Sequence, residues 1–294
     1  MRAMRRCAGR RLPSYDCLVE LRGGGDTKPP VFLVCWAGGR LISYRDLVPR
    51  LPADQPLYGL RAPRFDGRTH LFSTLEELAR LFVAEVRRFQ PAGPYLFVGY
   101  CFGGTLAHEM VAQLEVQGER TLLLAAIESS PYGHGGPRAR RTPMERRRAI
   151  VWKFFHSGVI AKLRLVGSHV FGRWGRPRRT IRSLAFALAC RTGWRWPDRF
   201  CHLNLIAIRR ALAGYVAPAS NACMTLFEAH DPAHGLEPSV WPKLAGGGVE
   251  INAITAPGIG HVSIMHAPYV DELAARLTRS IDETLSARAA PVTA

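Results

Sequence analysis

The sequence predicts an α/β protein: a mostly parallel sheet covered by helices on both faces and interrupted by a helical insertion. Three observations carry this. Short apolar runs rich in β-branched and aromatic residues, as in Val31–Cys35 and Thr121–Ile127, read as strands buried on both faces. Stretches with apolar residues at helical spacing separate them. The alternation then breaks between about 132 and 221, and resumes with Met224–Ala229.

In chain order, Cys17–Leu21 is a candidate edge strand and Val31–Cys35 a central one, ending at Trp36-Ala37-Gly38-Gly39. A helix is expected from Ser43 to Leu51, then a strand over Pro56–Leu60. Thr74-Leu75-Glu76-Glu77 has the form of a capping box, and Leu78, Leu81, Phe82 and Val86 continue at helical spacing, ending before Pro91. Tyr95–Val98 is the next strand and Thr105–Gln117 an amphipathic helix that Gly118 terminates. After the strand Thr121–Ile127 comes the insertion, whose apolar residues (Ile150, Val151, Phe154, Phe155, then Leu163, Leu165, Val166) suggest two or more helices. Strands over Met224–Ala229 and Val249–Ile254 and a last helix from about Ala267 to Leu285 complete the pattern. The domain reading is therefore a tail over 1–28, a core over 29–131 and 222–288, a basic helical insertion over 132–221, and a tail over 289–294.

With 294 residues and 47% hydrophobic content, the chain can bury a sizeable core. The seven cysteines (Cys7, Cys17, Cys35, Cys101, Cys190, Cys201 and Cys223) are odd in number and lack metal-like spacing, so neither a disulfide framework nor a zinc site is expected. A reducing compartment follows as the simpler expectation. Arg2, Arg5, Arg6, Arg10 and Arg11 are not followed by an apolar signal-type stretch, and no run reaches the roughly 18 apolar residues of a membrane span. A soluble, cytoplasmic protein is expected. From Arg138 to Arg210 there are 17 arginines and 2 lysines against Glu145 and Asp198 alone, which accounts for the whole net charge of +17.

The chemistry centres on Gly99-Tyr100-Cys101-Phe102-Gly103-Gly104, between a strand and a helix. The pattern is the G-x-S-x-G nucleophile elbow with sulfur in place of oxygen. A sharp strand-to-helix turn leaves its central residue projecting above the sheet edge, and flanking glycines give strand and helix room to approach. The helix behind Cys101 aims unpaired backbone N–H groups and its positive dipole end at the sulfur, which favours a thiolate and an adjacent oxyanion. A packed cysteine in a glycine-rich turn is the plain alternative.

Cysteine attack on a carbonyl needs a base, and a carboxylate to orient the base. Glu128 follows an apolar strand, 27 residues beyond Cys101, and Asp231, just past the strand ending at Ala229, is the rival acid. For either carboxylate a capping or solvated loop residue is the plain alternative, and position alone leaves the two readings even. Among the ten histidines His261 stands out, because it follows the last strand through the flexible Pro257-Gly258-Ile259-Gly260; His266 lies at the start of the final helix and His108 inside the elbow helix.

The order nucleophile, acid, histidine is that of the α/β-hydrolase superfamily. From about Val31 to Leu285 the chain resembles the thioesterase domains of nonribosomal peptide and polyketide synthases, through VFLVCWAGG with SYRDLVPRL, PLYGLRAP, TLEELARLFVAEVRRFQPAGPY, GYCFGGTLAHEMVAQLEVQGE and GIGHVSIMHAPYVDELAARL. The resemblance implies an α/β-hydrolase fold with the insertion as a lid over an acyl channel. It places Cys101 as nucleophile, Glu128 as acid and His261 as base, with backbone N–H groups of Ala37 and Phe102 as the oxyanion hole. Three departures stand out: cysteine for the usual serine, glutamate for the usual aspartate, and Cys35-Trp36 where His-Pro is common before Ala-Gly-Gly.

Sulfur alters the thermodynamics. A serine enzyme converts a carrier thioester into an oxyester, which is downhill, whereas a cysteine acyl-enzyme is itself a thioester and exchanges reversibly with other thiols. Thioesterase-like proteins with a cysteine elbow include acyl and aminoacyl transferases acting between carrier proteins. The expected function is thus transfer of an acyl, aminoacyl or peptidyl group from a carrier-protein phosphopantetheine to Cys101 and onward in natural-product biosynthesis. Hydrolytic or cyclising release or editing is the alternative, and a non-catalytic carrier-binding module the second. No cofactor is expected on the protein itself, since the phosphopantetheine belongs to the substrate. Acyl or peptidyl carrier proteins or synthase modules are the expected partners, because the basic insertion complements their acidic surfaces. The aromatic residues among the arginines, as in Trp194-Arg195-Trp196, also permit nucleic-acid or anionic-membrane contact, but no recognition motif supports either.

Overall fold

The computed structural model describes residues 17–25, 28–63, 72, 74–131, 208, 211–212, 214–233 and 239–289. The expectations for residues 1–16 and for nearly all of the insertion lie outside these residues.

Seven strands form one sheet: β1 (Leu18–Arg22), β2 (Val31–Val34), β3 (Leu57–Leu60), β4 (Tyr95–Tyr100), β5 (Thr121–Ile127), β6 (Met224–His230) and β7 (Val249–Thr255), in the order β1-β3-β2-β4-β5-β6-β7. β1 pairs antiparallel with β3, while every other pairing is parallel. The sheet therefore starts at Leu18, inside the stretch read as a tail. Every residue of β2 and β4 is buried, as their continuous apolar sequences require in strands covered on both faces.

Three α-helices are described: α1 (Leu75–Phe89), α2 (Phe102–Val116) and α3 (Tyr269–Ala289). Thr74 caps α1, its side chain accepting from the Glu77 N–H at 3.2 Å, and the buried Leu78, Phe82 and Val86 lie on one face. The α2 N-terminus starts directly at the elbow, three residues earlier than expected. Gly118, at φ +75°, lets the chain leave it.

The expected helix over Ser43–Leu51 does not form. Two 3-10 turns, Ile42–Tyr44 and Val48–Arg50, take its place, closed by short-range bonds such as Tyr44 N–H to Leu41 O and Arg50 N–H to Leu47 O. Pro49 is the physical reason. It has no N–H for an α-helical bond to Arg45, and its ring disfavours the α conformation at Val48.

Chain connectivity reverses between β2 and β4. From β2 the chain passes to β3 on one side, then crosses to β4 on the other. The carboxyl ends of such a strand pair diverge into a crevice, the place where parallel sheets bind ligands. Cys101 follows β4 and Ala37 follows β2, so both stand at that crevice.

Candidate active site

Cys101 sits between β4 and α2 with φ 58° and ψ −120°, a conformation L-residues rarely adopt. Holding it costs roughly 1–3 kcal/mol, which the surrounding backbone must offset. The restraints are visible: the Cys101 N–H donates to Ile127 O at 2.8 Å, and the Gly104 N–H donates to Cys101 O at 3.2 Å. A Cβ on Gly99 would stand 2.3 Å from the Gly103 carbonyl carbon, and one on Gly103 would stand 2.5 Å from Val34 O. Glycine at both positions is what lets α2 start against the sheet.

Glu128 leaves β5 in the left-handed region, φ 49°. Its N–H donates to Phe227 O at 2.8 Å, one side-chain oxygen accepts from the Ala229 N–H, and the other lies 3.1 Å from His261 Nδ1. The carboxylate is thus fixed by β6 before it meets the imidazole. His261 also hydrogen-bonds the Cys101 thiol. With Nδ1 turned to Glu128, Nε2 is the nitrogen left for sulfur.

Burial alone would depress the imidazole. Hydrogen bonds from Cys101 and Glu128, and the negative charge of both, outweigh it and raise His261 to about 9. The site therefore favours an imidazolium between two acidic groups over a neutral imidazole beside a thiol.

Tyr100 supplies a clamp that residue spacing did not disclose. Its hydroxyl donates to the His261 carbonyl at 2.8 Å, and its ring stacks on the imidazole with centroids 5.2 Å apart. The only sequence signal available was its place between Gly99 and Cys101.

The rival residues take other duties. Asp231 accepts from the Ala233 and Gly258 N–H groups, at 3.0 and 3.2 Å, and so shapes the loop that delivers His261. His108 is fully buried in α2, meets the Trp241 ring at a tilt of 53° with centroids 5.0 Å apart, and has Nε2 3.1 Å from Ser220 Oγ; burial pushes it down to about 4. His266 Nδ1 lies 2.6 Å from an Asp46 carboxylate oxygen.

The two expected oxyanion donors flank the crevice. Phe102 is the first residue of α2, where a backbone N–H has no acceptor within the helix. Ala37 lies in a turn closed by the Gly39 N–H on Trp36 O at 2.8 Å, a bond that does not use the Ala37 N–H. The Trp36 indole folds beneath Gly38, close enough that a Cβ there would meet it at 2.7 Å, and among the described residues its buried Nε1 has no hydrogen-bond partner.

A second carboxyl borders the site. The β5–β6 register pairs Ile127 with Phe227, so the next residues along, Glu128 and Glu228, lie side by side. Burial first, and the charge of Glu128 second, push Glu228 up from 4.5 to about 7. A carboxyl raised this way favours the fold while neutral, so its contribution is complete below about pH 4.5 and is lost as pH rises through about 7. Glu228→Gln is accordingly expected to leave stability nearly unchanged at pH 4.5 and to raise it by about 1 kcal/mol at pH 8, after discounting for partial exposure. Urea unfolding at the two pH values checks this; equal effects at both would contradict it.

Among the described residues no His/Cys/Asp/Glu group could hold a metal ion, and no helix is long and apolar enough to cross a membrane.

Comparison with known proteins finds similarity over part of the chain. Residues 29–168, which hold the elbow, Glu128 and the Ala37 turn, match the family model described as "Thioesterase domain". Those residues are similar to a thioesterase domain. A probable nonribosomal peptide synthetase, CymA of Salinispora arenicola (strain CNS-205), is 30% identical over 272 residues, covering 86% of this chain and 3% of CymA. A dimodular nonribosomal peptide synthase of Bacillus subtilis (strain 168) is 38% identical over 118 residues, 40% of this chain and 5% of that protein. The chain thus spans only a few per cent of the length of these relatives. Among solved structures, the NocB thioesterase domain in covalent complex with a fluorophosphonate nocardicin G analog superposes with TM-score 0.56 at 21% identity, covering 90% of this chain and 99% of that one. A four-domain nonribosomal peptide synthetase gives TM-score 0.62 at 22% identity, over 90% of this chain and 20% of that one. At these identities the superpositions show an α/β-hydrolase-like fold, and the fold alone.

Proposed function

We propose that this chain is a thioesterase-like acyltransferase using a Cys101-His261-Glu128 triad, with carrier-protein phosphopantetheine thioesters as donors. The observation that carries the reading is the Cys101 thiol at a strained elbow, hydrogen-bonded to an imidazole that Glu128 holds from its far side. The Cys101 sulfur attacks the thioester carbonyl while His261 holds the thiol proton as imidazolium. The resulting oxyanion accepts hydrogen bonds from the Ala37 and Phe102 N–H groups. Collapse breaks the carbon–sulfur bond to pantetheine, whose sulfur takes the proton from His261. A second thiol reverses these steps and leaves with the acyl group.

Two thioesters of similar energy lie on either side of each step, so the enzyme exchanges acyl groups rather than committing them to water. The similarity to nonribosomal peptide synthetases supports a carrier protein as the donor's owner, and the basic insertion supports an acidic docking partner. A second reading, release by water or an internal amine, has the same acyl-enzyme and the thioesterase family in its favour.

The deciding experiment supplies an acyl-loaded carrier, an empty phosphopantetheinylated carrier of different mass, and the protein. Appearance of the acyl group on the second carrier faster than free acid supports transfer. Free acid or cyclised product accumulating first, whether or not the second carrier is present, supports release.

A further inference from the structure

The crevice between β2 and β4 contains a side chain that the proposed reaction leaves without a role. Tyr44, in the 3-10 turn after the Ala37 loop, is 1% exposed. Its hydroxyl donates to Val34 O at 2.7 Å and accepts from the Tyr100 N–H at 2.8 Å. The β2–β4 ladder ends at Val34 paired with Gly99. The phenol oxygen therefore stands between the two strands just where their ladder stops, joining them through itself. Burial raises the Tyr44 pKa, and nearby Cys35, Cys101 and Tyr100 add to the effect, so the group stays a neutral phenol with both polarities in use.

We propose that Tyr44 is a positioning residue for the oxyanion hole, its hydroxyl fixing the distance between the chain leaving β2 and the chain leaving β4. Ala37 lies three residues beyond Val34, and Phe102 two residues beyond Tyr100. No other hydroxyl among the described residues bridges these two strand ends. The two N–H groups come from separate strands, so their spacing is only as well defined as the spacing of those strands. A preorganised donor pair stabilises the tetrahedral oxyanion because it needs no rearrangement as charge develops. The inference rests on the acyl-transfer reading above, since only a step through an oxyanion uses the hole.

Two reactions of the same sulfur separate this role from a merely structural one. Acylation by a pantetheine thioester passes through the oxyanion, while alkylation by iodoacetamide does not. In Tyr44→Phe, acylation is expected to slow about 30-fold, below the 10²–10³ of deleting a donor outright. The KM for the thioester and the alkylation rate are expected to stay within about twofold of wild type, as the thiol and His261 are untouched. Tyr44→fluorotyrosine retains both hydrogen bonds and is expected to acylate at close to the wild-type rate, which keeps the test decisive should Tyr44→Phe fold poorly. Acylation unchanged in Tyr44→Phe would overturn the proposal. So would equal loss of acylation and alkylation, or a fluorotyrosine protein as slow as the phenylalanine one. Wild-type protein that is alkylated but never acylated would instead remove the acyl-transfer reading on which the proposal stands.

Discussion

His261→Ala is expected to slow acylation of Cys101 by about 10³-fold, within the range a positioned general acid–base group supplies. The imidazole acts twice in the proposed cycle: it holds the thiol proton before attack and returns it to the departing pantetheine sulfur. Its loss also removes the cation beside the sulfur, so alkylation by iodoacetamide is expected to fall as well, which distinguishes this variant from one in the oxyanion hole. Glu128→Gln should act in the same direction and less severely, because the amide still reaches Nδ1 but carries no charge. The sign follows from the cause of the shift: a carboxylate that raises the imidazole takes that increment with it, so the His261 titration midpoint falls from about 9. Following His261 by NMR across pH 5 to 10 in wild type and Glu128→Gln checks this. A midpoint unchanged by the substitution would mean that the contact of 3.1 Å does not orient or charge the base.

Cys101→Ser has the second large expected effect, and it changes the product as well as the rate. An oxyester acyl-enzyme lies below a thioester in free energy, so passing the acyl group from serine to a carrier thiol runs uphill while water still takes it downhill. The ratio of transfer to hydrolysis is expected to fall roughly 100-fold, the factor that about 2.7 kcal/mol supplies. The serine hydroxyl is also a weaker nucleophile than a thiolate, so the acyl-enzyme should form more slowly. Liquid chromatography of both carriers and of free acid measures the ratio. Unaltered partition between thiol and water would remove sulfur as the reason for the proposed transfer.

Much of the site was legible because the decisive signals are local. The elbow announces itself in six consecutive residues, and the glycines there are explained by contacts under 3 Å that any Cβ would make. Thr74 and Glu77 gave the start of α1 for the same reason, since a cap lies within one turn of chain. What could not be read depends on approach between distant segments. Glu128 and Asp231 follow strands equally well in sequence. It takes the β5–β6 pairing across the insertion to fix Glu128 on the Ala229 N–H and to turn Asp231 toward Gly258. The same pairing sets Glu228 beside Glu128, an arrangement 100 residues apart in the chain. Tyr44 and Tyr100 were invisible as site residues because each works through a backbone atom of another strand or loop. The helix expected at 43–51 fails for a local reason that the sequence contains: Pro49 lacks the N–H that a continuous α-helix would use.

Every step of the proposed cycle requires an acyl group on the sulfur at position 101. Intact-protein mass spectrometry after mixing the chain with an acyl-loaded carrier, with peptide mapping of the product, tests it most directly. The expected result is a mass increase equal to the acyl group, located on Cys101, released by hydroxylamine and absent in Cys101→Ala. An unmodified chain after full consumption of the acyl-carrier, or an adduct that persists in Cys101→Ala, would contradict it.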